Sequence, residues 1–190
     1  MLLIRDAAVA DARGVAVVHV DSWRAAYVGL IDQAVLDRQS VEARTATWST
    51  WIERSLVGEA TDGYGTVAHR LVVAEFDGRI VGWASFGAGR DDDTTDRGEI
   101  AGLYAHPDAW SQGVGRALIG HAEDALRTDG WTSAYLWVLA GNERAIGFYR
   151  SRGWVPDGAA KIGEGGSVQG LHEQRLVKDL TVRADRATAK

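Results

Sequence analysis

The sequence predicts an α/β protein in which a central mixed sheet carries helices on its faces. Three observations lead there. β-rich runs and helix-periodic runs alternate through the second half of the chain. The pair Asp77-Gly78 lies between two β-rich runs and marks a hairpin in the first half. The 190 residues contain no internal repeat and no linker rich in proline or serine, so a single domain over residues 1–190 is the simplest organisation.

The elements follow in order. LLIRDA at 2–7 reads as a short strand. A helical stretch runs from about Asp11 to Tyr27, with Val15, Val18, Ser22 and Ala25 on one face. SVEARTATWSTWIERS at 40–55 forms a second helix on which Trp48, Trp51, Ile52 and Ser55 share a face. RLVVAEF and RIVGWASFG flank the Asp77-Gly78 turn as a β-hairpin. GAGRDDDTTDRG at 87–98 is a polar loop, and EIAGLYA at 99–105 is the next strand. After Gly113 and Gly115, residues Val114, Ala117, Leu118, His121, Ala122 and Ala125 keep helical spacing. WTSAYLWVL at 131–139 is a strand, and Asn142 caps a helix over about 143–152. GWVPDG makes a short strand and turn, and LHEQRLVKDL at 171–180 is the closing strand. Hairpins joined to strand–helix–strand units imply a sheet of mixed direction.

Composition narrows the function. A net charge of −5 argues against a nucleic-acid binder, which carries a basic face. The absence of cysteine removes disulfides, thiolate nucleophiles and zinc–sulfur sites. His19, His69, His106, His121 and His172 show no ligand spacing, so no metal is expected. No apolar run reaches 18 residues and the N-terminus lacks a signal-like apolar core, so a cytoplasmic protein without a membrane span is expected. With eight tryptophans, several are expected to line a core or a cleft. Residues 165–169, GGSVQ, only graze the nucleophile-elbow pattern and lack its flanking strand and helix.

The stretch HPDAWSQGVGRAL at 106–118 raises the functional question. Gly113 and Gly115 stand between a strand and a helix. A helix start offers free N–H groups and partial positive charge, and glycines let an anion approach the backbone. Arg116 could add a cationic contact or face water. The loop alone leaves a phosphate cradle and a plain tight turn equally open. A Walker loop would need Gly-Lys-Ser/Thr, but Gly115 precedes Arg116 and Ala117. A dinucleotide fingerprint would need a third glycine where Leu118 stands.

EIAGLYAHPDAWSQGVGRALIGHAEDAL followed by GNERAIGFYRSRGW resembles the GNAT superfamily of acetyl-CoA-dependent N-acetyltransferases. The first half carries a strand, a glycine loop of the form R/Q-x-x-G-x-G/A and a helix. The second carries Asn142, Ala145, Phe148, Tyr149, Gly153 and Trp154 in an N…A…FY…GW pattern. The likeness is strongest over 99–154 and looser over the remainder. One position departs: Trp110 stands where the loop's leading Arg or Gln belongs, and Gln112 is displaced from it.

The resemblance implies a sheet of about seven strands, splayed between the fourth and fifth, with helices on both faces. It implies acetyl-CoA as cosubstrate, with the pantetheine pairing at Leu103 and Ala105 and Tyr104 belonging to the same cofactor site. The pyrophosphate would sit on the amides of Gln112, Gly113, Val114, Gly115, Arg116 and Ala117. Asn142, Ala145 and Phe148 would complete that site, and Asn142 would cap its helix, touch pantetheine or do both. Arg150 and Arg152 would neutralise outer phosphates or stay solvated. Glu99 is the candidate base, with a pKa raised by burial or with action through a water. Tyr149 is the candidate acid for the departing thiolate. Trp23, Arg24, Tyr27 and Trp83 would border an acceptor pocket or simply pack a helix face. The 90–96 segment would steer a cationic amine or remain a solvated loop. The implied reaction is direct acetyl transfer to a primary amine, on a small molecule or a peptide N-terminus, in a ternary complex. A homodimer fits such families. The alternatives are a non-catalytic acyl-CoA sensor or interaction module on the same fold, and a nucleotide-binding enzyme.

Overall fold

Asp77 and Gly78 both adopt positive φ, 49° and 76°, as the tight hairpin turn between two right-twisted strands requires. That hairpin supplies two neighbouring strands of the sheet in the computed structural model, which describes residues 1–61, 67–163 and 169–181. Its strands are β2 (His69–Phe76) and β3 (Arg79–Ala88). Before them come β1 (Leu2–Asp6), α1 (Ala12–Ala26), α2 (Gln33–Asp37) and α3 (Val41–Leu56). After them come β4 (Gly98–Ala105), α4 (Val114–Thr128), β5 (Ser133–Leu139), α5 (Glu143–Arg150), β6 (Val155–Ile162) and β7 (His172–Asp179).

The seven strands form one sheet in the order β1-β2-β3-β4-β5-β7-β6. Neighbours run antiparallel except β4 and β5, which pair in parallel at Gly98–Ala134 and Glu99–Tyr135 and then part. The mixed sheet splayed between its fourth and fifth strands is therefore present. On one face α1 and α3 bury Val15, Val18, Trp48 and Ile52 against Leu71, Val73 and Trp83. On the other, α4 and α5 bury Val114, Leu118, Ala122 and Ile146 against Val72, Ala84, Leu136 and Val138. Buried Glu123 ties α4 to the far strands, accepting from Trp154 Nε1 at 2.9 Å and from Lys178 Nζ at 2.7 Å.

Four local expectations change. On α1, Ala25 is exposed and Trp23 takes the buried place, because Tyr27, Leu139 and Tyr104 offer it an apolar wall. On α4, His121 is exposed while Ile119 and Leu126 are buried. The short helix α2 was not foreseen; Asp32 caps it by accepting from the Ala34 amide at 2.7 Å. The expected short strand and turn at GWVPDG is an eight-residue strand, β6, with a register break between Pro156 and Ala160. It lies at the sheet edge, where proline costs no ladder bond. Gly165–Val168 of the elbow-like segment lie outside the described residues.

Candidate active site

The parting of β4 and β5 creates the site. Opposite the step from Ser85 to Phe86 the register shifts, so that Ala101 bulges out of the β3–β4 ladder. Beyond Glu99, β4 has β3 on one side and, among the described residues, no strand partner on the side facing β5. Gly102 is needed here: a Cβ would lie 2.8 Å from the Trp83 ring, which presses on the strand. The gap opens into a cavity of about 1270 Å³. That exceeds the ~300–1000 Å³ of an ordinary ligand cleft and suits two substrates at once.

One wall of the cavity is the start of α4. Gly113 is its N-cap, at φ 86°. The Ala117 amide already donates to the Gly113 carbonyl at 2.9 Å. The orphan donors at the helix start are thus the amides of Gly113, Val114, Gly115 and Arg116, and Ala117 is removed from the expected cradle. The Gln112 amide is also engaged, donating to the Ala109 carbonyl at 3.4 Å, while its exposed side chain donates to the Asp108 carbonyl at 2.6 Å. Trp110, the residue that departs from the family pattern, has a structural task. Its indole N–H donates to the Ala105 carbonyl at 2.8 Å, pinning the loop to the end of β4. The Arg144 guanidinium stacks on the same ring, 3.1 Å from its centre, and joins the loop to α5 across the opening. The Ala105 carbonyl is consequently engaged. The His106 amide donates to the Val81 carbonyl at 2.9 Å, so by the alternation of an antiparallel ladder Tyr104 bonds back to Trp83, and the groups left facing the gap are those of Leu103 and the Ala105 amide.

The opposite wall is α5. Asn142 caps it, its Oδ1 accepting from the Ala145 amide at 3.1 Å. Ala145, Phe148 and Tyr149 line the cavity, and the Phe148 ring lies 3.4 Å from where a Gly115 Cβ would be. Tyr149 is 8% exposed. Burial, then the neighbouring Tyr104 hydroxyl, holds its pKa above the usual tyrosine range, so it stays protonated at neutral pH. Arg152 reaches the cavity lip beside Phe148, whereas Arg150 is exposed away from it.

Glu99 stands at the closed end of the gap. It is 2% exposed, with Arg90 donating to it through Nε at 2.9 Å and Nη2 at 2.7 Å. His69 Nε2 lies 3.9 Å away. Burial pushes its carboxyl up, but the hydrogen bonds and charge of Arg90, followed by His69, outweigh burial. The net shift is below the usual glutamate range. The expected upward shift is thereby reversed, and the cause is Arg90, which the sequence had placed only in a polar loop.

The wall expected to border the acceptor is aromatic. Trp23, Trp48, Trp83 and His19 are each more than nine-tenths buried on the α1 face, and all line the cavity. His19 stacks with Trp23 at 5.4 Å and with Trp83 at 5.8 Å between ring centres. Burial, with the Arg44 charge beyond it, lowers the His19 pKa to about 3. The Tyr27 and Tyr104 hydroxyls hydrogen-bond at 3.1 Å. Arg24 turns away from this pocket to the carbonyls of Leu36 and Gln39, at 3.5 and 2.8 Å, and anchors α1 to α2. The acidic loop is not simply solvated. Asp91 accepts from Trp137 Nε1 at 2.7 Å and Asp93 pairs with Arg175 at 2.8 Å, while Asp92 and Asp96 remain exposed.

Among the charged residues that line the cavity, sequence reasoning gave no site role to Arg144, Lys161 or Glu173 and saw Arg90 only as part of a polar loop. Only Arg144, inside the NERA stretch, carried a local signal.

A mixed sheet parted between two parallel strands, beside a glycine-capped helix start, makes a cleft with an anion-binding wall. Residues 38–154 match the family model described as the acetyltransferase (GNAT) family, and the chain belongs to that family. It is 30% identical over 151 residues to the uncharacterized N-acetyltransferase YuaI of Bacillus subtilis, covering 80% of this chain and 79% of that one. Its fold is that of the PaiA N-acetyltransferase of Thermoplasma acidophilum, solved in complex with coenzyme A (TM-score 0.70, 18% identity, 94% and 99% of the two chains). It also matches the YncA structure from Salmonella typhimurium, solved with acetyl-CoA (TM-score 0.66, 22% identity, 100% and 99% covered).

Proposed function

We propose that the protein moves an acetyl group from acetyl-CoA to a primary amine by direct attack within a ternary complex. The observation that carries this reading is one continuous cavity that joins the glycine-capped start of α4 to the aromatic wall of α1. The diphosphate would lie on the amides of Gly113 to Arg116, with Arg152 at its outer side. The pantetheine would follow the open edge of β4 at Leu103 and the Ala105 amide, beside Tyr104. The acceptor amine, on a small molecule or a peptide N-terminus, would enter past Trp23, Tyr27 and Trp83.

The amine must lose its ammonium proton before it can attack. Its lone pair then forms the C–N bond, and collapse of the tetrahedral species expels the thiolate. Tyr149 gives the thiolate its proton, and the phenolate so formed takes the second proton from the new amide nitrogen. With no cysteine in the chain, an acetyl-cysteine route is closed. Of the three carboxylates on the cavity wall, Asp91 is held on its loop by Trp137 Nε1 at 2.7 Å, and Glu99 and Glu173 compete for the first proton.

Calorimetry with acetyl-CoA, ATP and NAD, followed by assay of free CoA thiol against a broad amine panel, tests the reading. Acetyl-CoA binding with amine-dependent thiol release is expected. Binding without turnover of any amine would turn the assignment to a non-catalytic acyl-CoA sensor. ATP binding without CoA binding would end it.

A further inference from the structure

We propose that Glu173, at the start of β7, is the catalytic base that takes the proton from the acceptor ammonium. This rests on the acetyltransferase reading above and adds to it the atom that acts.

Height along the sheet decides between the two carboxylates. Glu99 pairs with Tyr135, at the last rung before β4 and β5 part. No substrate can insert between strands that are still hydrogen-bonded there. Four residues up β5 from Tyr135 is Leu139, and Leu139 pairs with Glu173. Up β4, with Ala101 lost to the bulge, the same height is reached at Tyr104. At about 3.3 Å per residue, Glu173 stands about 13 Å above Glu99, level with the edge where the thioester would lie. Paired residues on antiparallel strands project to one face, so Glu173 shares the α1 face with Leu139, which packs with Trp23, Tyr27 and Tyr104.

The charged surroundings agree. Glu99 is engaged at both oxygens by Arg90, whereas Glu173 has Lys161 Nζ at 3.9 Å from β6. Asp91 and Arg90 of the β3–β4 loop act on it more weakly, and its own charge is felt by Tyr27 of α1 and Tyr104 of β4 across the cavity. Burial raises its carboxyl above the usual glutamate range, with Lys161 opposing, so it is the better matched acceptor for an alkylammonium proton. The ammonium proton passes to the Glu173 carboxylate, leaving neutral amine and carboxylic acid. The acid returns the proton to solvent after the product leaves.

The test uses the full chain, acetyl-CoA and a panel of L-amino acids, their amides and simple monoamines. Acetyl-CoA affinity is read by calorimetry and turnover by thiol release across pH. Glu173→Gln is expected to cut kcat/KM for the amine by about 10²-fold or more and to abolish the acidic limb of the profile, with acetyl-CoA affinity unchanged. Lys161→Met, which removes the opposing cation, should move that limb to higher pH in an otherwise intact enzyme. Glu99→Gln should keep the limb. A limb that survives Glu173→Gln, or that Lys161→Met does not move, overturns the role of Glu173 while leaving the acetyltransferase reading intact. Acetyl-CoA binding with no amine turned over by the wild type overturns both.

Discussion

At the scale of the residue, the proposed mechanism separates two acid–base tasks by environment. Tyr149 has its pKa raised by burial and by Tyr104, so in the proposed reaction it enters as a proton donor rather than a phenolate. Its place on α5, one residue from Phe148, puts it on the side of the cavity proposed for the coenzyme. Tyr149→Phe keeps the ring and removes the proton. The expected result is a fall in kcat of about 10²-fold with acetyl-CoA affinity changed less than threefold, measured by stopped-time thiol release and calorimetry. Equal turnover would take Tyr149 out of the mechanism. Trp110 teaches the complementary lesson: a residue that breaks a motif can still serve the loop, here by a hydrogen bond to Ala105 and a stack under Arg144.

At the scale of the element, α4 is both core helix and proposed phosphate seat, and its two leading glycines divide those duties. Gly113 needs its positive φ, so a side chain there is strained although its surroundings are open. Gly115 is already helical, and an added Cβ would meet Phe148 at an ordinary 3.4 Å. Gly113→Ala is therefore expected to cost about 1–2 kcal/mol of stability. Gly115→Ala should instead raise stability by up to about 1 kcal/mol, since alanine suits a helix better. Both should weaken acetyl-CoA, the first by misplacing the orphan amides and the second by crowding them. Thermal melts and calorimetry on the two variants check this; unchanged affinity in Gly115→Ala would remove the cradle from the start of α4.

At the scale of the whole molecule, what was legible in the sequence is what neighbours along the chain decide. The Asp77-Gly78 hairpin, the α4 and α5 periods and the spacing of Gly113 to Tyr149 are local patterns; they located the hairpin and the two helices, and the family resemblance they carry supplied the splay of the sheet. The illegible parts depend on distant pairing. Arg90 reaches Glu99 only because the β3–β4 loop folds back, and Glu173 joins the cavity only because β7 inserts between β5 and β6. Five-residue α2 is too short to show a period. The stacking of His19 among tryptophans from three elements is of the same kind, and it has a consequence for global stability. Its folded pKa of about 3 lies below the usual 6.5, so the unfolded chain takes up the proton first. Stability therefore falls as pH drops below about 6.5 and goes on falling until about 3. Between pH 7.5 and 5 the loss is about 2 kcal/mol, a drop of roughly 4–8 °C in Tm for a chain of this size. Glu99 and Asp11 have lowered pKa values, so the stability they supply is lost only at lower pH and stays out of this window. Glu173, with its raised pKa, acts in the opposite direction, but equally in wild type and variant. His19→Phe cannot take up the proton, so its Tm should fall much less between the two pH values than that of the wild type. Equal falls in the two proteins would assign the acid sensitivity to another group.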